Sequence, residues 1–150
     1  MHSSPKDLHI VNVRITHKTA RLPLIEAVVF KNAKDALKVL RSMNAVDECV
    51  LLQTCNRVEI YAVSEEGEGV AKALKDFLVQ KAGALADEVS RAIECALDGD
   101  ALRHILRLAS GLESMVIGED QILNQVWDAY LAAESARASG IVLKHLFMRA

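Results

Sequence analysis

The chain has 150 residues, 51% apolar and 25% charged, a mix that fits one globular domain with a buried core. The formal net charge is −2, which argues against a broad grip on a polyanion and leaves room only for a few local nucleic-acid contacts. Cys49, Cys55 and Cys95 are too few and too irregularly spaced for a disulfide framework or a metal site, and no apolar run suits a secretory leader or a membrane span. A reduced, cytoplasmic protein without a metal is expected.

Residues 8–15 read as a strand, with Ile10, Val11, Val13 and Ile15 supplying β-branched side chains. Residues 16–23 are polar, end in Pro23 and read as a loop. The apolar run 24–30 fits a short helix, with a strand as the alternative. Asn32 suits a helix N-cap, with Asp35 in the first turn, so residues 33–43 are predicted helical. Residues 48–53 and 58–63 read as two strands, the second alternating Val58, Ile60 and Ala62 against Glu59 and Tyr61. Between them, Thr54-Cys55-Asn56-Arg57 forms a strand-to-strand junction.

An acidic loop over 64–69 precedes an amphipathic helix carrying Val70, Ala73, Leu74, Phe77 and Leu78, which Gly83 ends. Residues 92–97 form a candidate fourth strand. Asp98 is placed to cap the next helix, whose buried stripe is read as Leu102, Ile105, Leu106 and Ala109. His104 then falls roughly 150° from the middle of that stripe, at about 100° per residue, facing solvent or a cleft wall. Residues 110–118 are irregular. A long helix follows from Glu119, with Ile122, Val126, Ala129 and Ala133 on one face; Gly140 breaks it and residues 141–150 begin another helix. The order predicts an α+β fold: a small mixed or antiparallel sheet of about four strands, helices on one face, and a helical ending.

A lone cysteine is usually inert and buried. Cys55 is set apart by its place at a junction, where a side chain can reach solvent, and by Arg57 two residues on, whose charge favours a thiolate. Cys49 and Cys95 lie in apolar runs and read as inert. In the stretch 110–125, two glycines and several polar groups lead into a helix N-terminus, where negative charge is favoured; ordinary capping by Glu119 and Asp120 explains it equally. Gln121 and Gln125 share one helical face.

Taken together, the run from Glu48 through Thr54-Cys55-Asn56-Arg57 to Tyr61 resembles the active-site segment of glutamyl-tRNA reductases. The segment from His104 to Gln125 is similar to a second signature of that family, in the form ASGLxSMVxGExQILxQV, and Thr16-His17-Lys18-Thr19-Ala20 looks like a third motif. The resemblance implies that a cysteine thiolate takes the glutamyl group from glutamyl-tRNA as a thioester. NADPH then reduces the thioester to glutamate-1-semialdehyde, a tetrapyrrole precursor. Carried over by position, the thiolate is Cys55 and the family's histidine is His104. Substrate contacts fall on Thr54, Asn56, Arg57, Ser114, Glu119, Gln121 and Gln125, with Asp120 counted in the same turn. Arg57 suits the γ-carboxylate and Glu119 the α-ammonium of the glutamyl group.

Three positions depart from the family pattern: Gln53 stands where serine is common, Asp120 where proline is, and Asn124 where glycine is. The resemblance also implies an NADPH-binding and a dimerisation domain, and no GxGxxG follows a strand here. Residues 1–140 are therefore expected to be the catalytic domain and 141–150 the start of a connecting helix. Such a fragment is expected to be monomeric, while the whole protein would be a homodimer, with glutamate-1-semialdehyde aminomutase as a further partner. Residue chemistry alone leaves open a glutamyl-tRNA binding module or a scaffold domain with an incidental cysteine.

Overall fold

The structure, a computed structural model, describes residues 7–111 and 121–148, and Gln121 by its backbone only. Its elements are β1 (His9–Thr16), α1 (Leu22–Ala27), α2 (Ala33–Ser42), β2 (Glu48–Thr54), β3 (Arg57–Ser64), α3 (Gly67–Lys81), a 3-10 turn at Gly83–Leu85, α4 (Ala86–Ala92), β4 (Glu94–Leu97), α5 (Gly99–Ala109), α6 (Gln121–Ser135) and α7 (Ile141–Met148). The sheet runs β2-β3-β1-β4, and every neighbouring pair is antiparallel. No helix among the described residues is long and apolar enough to cross a membrane.

Successive side chains of a strand point to opposite faces. All eight residues of β3 are buried, so helices cover both faces of the sheet and not one as the sequence suggested. One face is apolar, with Val11, Val13 and Ile15 beside Ala62, Ile60 and Val58. Cys49 of β2 continues it, its sulfur 3.9 Å from the Leu37 carbonyl of α2. The other face carries Asn12 and Arg14 of β1 beside Tyr61 and Glu59 of β3. There α5 lays His104 on Glu59, and α7 sets Phe147 edge-on to Tyr61.

Local chemistry explains most boundaries. Asn32 Oδ1 accepts the Asp35 N–H at 3.0 Å and starts α2 as expected. Asp98 precedes α5 without capping it. With φ at 51° it turns its carboxylate back to β1, accepting from the Ile10 N–H at 3.1 Å and sitting 2.9 Å from His9 Nδ1. The buried stripe of α5 is Ala101, His104, Ile105 and Leu108, while Leu102 and Leu106 are about two-fifths exposed. The sequence reading placed the stripe one position off because it followed the large apolar residues Leu102 and Leu106 and left the histidine outside it. Helix α4 was missed: over seven residues only Val89 and Ala92 are buried, too few to show a period.

The end of the described chain is tied to β2. The Cys49 N–H donates to the Ala138 carbonyl at 2.9 Å. Glu48, itself buried, accepts from the backbone N–H groups of Gly140 at 2.6 Å, Leu143 at 2.9 Å and Val142 at 3.2 Å, so its carboxylate caps the N-terminus of α7 across 92 or more residues of sequence. A Cβ at position 140 would lie 2.8 Å from Glu48 Cδ, which is why glycine stands there. Glu48→Ala is expected to lower stability by about 2 kcal/mol, with Glu48→Gln milder, read from urea unfolding midpoints. Unchanged midpoints would refute the cap.

Candidate active site at the β2–β3 turn

Thr54 and Arg57 face each other on the last rung between β2 and β3, so Cys55 and Asn56 are the two residues of a hairpin loop. Two-residue hairpins usually use turns with positive φ at central positions, favouring glycine. Neither Cys55 nor Asn56 is among the residues with positive φ. Hydrogen bonds hold this less common turn from both sides. Thr54 Oγ1 accepts the Asn56 N–H at 3.1 Å, and the Asn56 carbonyl accepts the His17 N–H at 2.9 Å. The Thr16–Ala20 motif thus braces the turn, folded by bonds from the Thr19 and Ala20 N–H groups to the Thr16 carbonyl. The Cys55 side chain is exposed at the apex.

Beneath the turn lies a buried polar network. Arg57 is 2% exposed, and its Nη1 donates to Glu59 Oε2 at 2.7 Å. Glu59 is fully buried, and its Oε1 receives His104 Nε2 at 2.8 Å, the Tyr61 hydroxyl at 2.9 Å and Asn12 Nδ2 at 3.2 Å. An ionised carboxylate only accepts, so His104 Nε2 carries the hydrogen of that pair. Asn12 Oδ1 in turn accepts from Arg14 Nη1 at 2.6 Å. Burial alone would raise the Glu59 carboxyl. The His104 hydrogen bond, the charges of His104 and Arg57, and the Arg57 hydrogen bond outweigh it and bring the group from its ordinary 4.5 down to about 2. The same burial, with the Glu59 charge alongside, pushes Tyr61 well up, so its hydroxyl remains a donor.

The structure brings Thr54, Cys55, Asn56 and Arg57 together at the turn, with His104 joined to Arg57 through Glu59. Arg57 is turned inward onto a carboxylate that the sequence reading did not single out. Glu59 was read as the outward half of an alternating strand. The available signal was an arginine two residues before it, on the same strand face. Gln125 is half-buried on α6. Ser114, Glu119 and Asp120 lie outside the described residues, as does the side chain of Gln121. Cys49 is buried, and burial pushes its thiol up to about 12. Cys95 differs from the apolar-run expectation: it is exposed on edge strand β4, though burial still raises its thiol. Among the described residues no cluster of three or more His, Cys, Asp or Glu side chains is poised to hold a metal.

Comparison with known proteins places this geometry in context. Residues 13–150 match the family described as glutamyl-tRNAGlu reductase, N-terminal domain. The chain is 36% identical over 147 residues to a glutamyl-tRNA reductase of Staphylococcus aureus and 37% identical to one of Staphylococcus epidermidis, covering 95% of the chain and 32% of each relative. The solved glutamyl-tRNA reductase from Methanopyrus kandleri superposes with a TM-score of 0.73 at 36% identity, over 93% of this chain and 32% of that one. The chain therefore spans about a third of the length of these relatives.

The network sets a pH dependence. Glu59 is held below its unfolded value, so its contribution to stability is fully present above about pH 4.5 and is lost as pH falls toward 2. Glu59→Gln is expected to lose about 3 kcal/mol at neutral pH, because Arg57 is left buried without its carboxylate. It is also expected to flatten the acid limb of stability against pH, measured by urea unfolding from pH 7 to 3. An acid limb identical to that of the wild type would refute Glu59 as its source.

Proposed function

The chain belongs to the glutamyl-tRNA reductase family, matching its N-terminal domain, and from this premise we propose that Cys55 is the nucleophile that takes the glutamyl group from glutamyl-tRNA. The observation that supports this most is the exposed Cys55 thiol at the apex of a braced turn, two residues before a buried arginine. An aminoacyl ester is already activated, so a thiolate displaces it without a metal. The sulfur bonds to the carbonyl carbon, the bond from that carbon to the ribose oxygen breaks, and the departing oxygen takes up a proton. We assign that proton to His104, whose ring Glu59 fixes through Nε2.

Arg57 is assigned the γ-carboxylate of the glutamyl group. The planar guanidinium fork matches a carboxylate bidentately, which suits arginine to that group. Thr54 and Asn56 flank the thiol and contact the acyl chain. Ser114, Glu119, Asp120, Gln121 and Gln125 complete the pocket in this proposal, with Glu119 on the α-ammonium.

NADPH is the reductant of the proposed overall reaction, giving glutamate-1-semialdehyde for tetrapyrrole synthesis. The described residues do not fit it: the antiparallel sheet has no parallel βαβ crevice for a dinucleotide, so no step here runs through the cofactor. This chain alone is proposed to form the thioester, or hydrolyse it, as a cytoplasmic monomer. The whole enzyme would act as a homodimer and pass its labile aldehyde to the aminomutase.

The test is transfer of labelled glutamate from glutamyl-tRNA to the protein, read after denaturation. Label released by hydroxylamine is expected on the wild type, Cys49→Ser and Cys95→Ser, and none on Cys55→Ser. His104→Asn is expected to slow transfer about a hundredfold or more. Label that persists in Cys55→Ser, or its absence from the wild type, would overturn the assignment.

A further inference from the structure

At the same end of the sheet as the Cys55 turn, a second feature stands outside the proposed chemistry. The β1–α1 loop, helix α1 and helix α4 enclose an open cleft of about 320 Å³, lined by Thr19, Arg21, Leu24, Glu88, Arg91 and Ala92. Thr19 Oγ1 closes its floor by donating to the Ala92 carbonyl at 2.7 Å. We propose that this cleft holds backbone phosphates of the 3′ end of the RNA whose aminoacyl ester reaches Cys55. The proposal rests on the reading of Cys55 above and adds where the rest of the substrate lies.

Position comes first. Thr16 pairs with Arg57, which closes the Cys55 turn, and Thr16 opens the loop that carries Thr19 and Arg21. The turn joins β2 to β3, whereas the cleft sits where β1 ends and β4 begins. With strands about 4.8 Å apart, the β2–β3 and β1–β4 junctions from which the two sites rise are roughly 10 Å apart across the sheet end. A polynucleotide whose terminal ester sits at Cys55 has this cleft within reach of the nucleotides next to the ester.

Charge comes second. Two guanidiniums line the cleft, against one carboxylate, Glu88. That carboxylate is held by Arg21, through Nη2 at 2.9 Å and Nε at 3.3 Å. The Nη1 edge of Arg21 makes no hydrogen bond among the described residues, and the Arg21–Glu88 pair is half-exposed, so a phosphate can share or replace Glu88 at little cost. Arg91 is exposed and has no carboxylate partner among the described residues. The planar fork of arginine matches phosphate oxygens bidentately. In a chain of net charge −2, a local pair of arginines beside the nucleophile supplies the few contacts that the overall charge allows.

The test uses the 150-residue chain and a fluorescent acceptor-stem minihelix that carries no amino acid and has a single-stranded 3′ end, followed by anisotropy. Arg91→Glu is expected to weaken binding about tenfold and Arg91→Ala less, with the slope of log affinity against log salt reduced by about 1. Cys55→Ser is expected to bind as the wild type does. In the transfer assay, Arg91→Glu is expected to raise the glutamyl-tRNA concentration needed for half-maximal labelling. Labelling by a glutamyl ester of adenosine, which carries no phosphate, should be unchanged. Wild-type binding of the minihelix by both Arg91 variants, or no binding by the wild type, would overturn the cleft. Loss of binding in Arg91→Glu alongside a failure of Cys55 to take label would leave the cleft standing and remove the thioester instead.

Discussion

A carboxylate with no exposed surface sits under the turn that presents Cys55, and it is tolerated because cationic and polar groups converge on it. Glu59 is held from β3 by Arg57 and Tyr61, from β1 by Asn12 and from α5 by His104. Burying a charge costs several kcal/mol unless partners of good geometry compensate it. The strands and helix that supply those partners are thereby held in register. Removing any one partner leaves a buried donor or acceptor unmet, so the arrangement is specified more tightly than an apolar core of similar volume.

The sheet order adds to this. With β2-β3-β1-β4 all antiparallel, the ends of β2 and β1 and the starts of β3 and β4 lie along one edge of the molecule. The thiol, the brace from His17 and the arginine-lined cleft share that edge. Buried polar groups lie behind it, and solvent in front. A rigid sheet end carrying short loops is a good platform for chemistry, since the loops stay accessible while the strands hold them in place.

Much of this was legible in the residues. The order of the strands, the N-cap at Asn32 and the strand-to-strand junction at Cys55 follow from propensity and periodicity. The misreadings share a cause. Glu59 was set only on the strand face opposite the apolar residues and His104 was left between solvent and a cleft wall, yet each is buried by satisfying the other. That single pairing shifted the α5 stripe by one position and hid the second covered face of the sheet. A contact across 45 residues leaves no periodic trace. Asp98 shows the same limit: its sequence position suits a cap, but β1 claims its carboxylate.

The central claim is that Cys55, at the apex of the β2–β3 turn, is the cysteine presented for attack. Alkylation of the folded protein by iodoacetamide at neutral pH, followed residue by residue by mass spectrometry, measures this directly. Cys55 should be modified first, Cys95 more slowly because burial raises its thiol, and Cys49 only once the protein unfolds. Modification of Cys55 no faster than Cys49 in the native state would contradict a nucleophile at the apex of the turn.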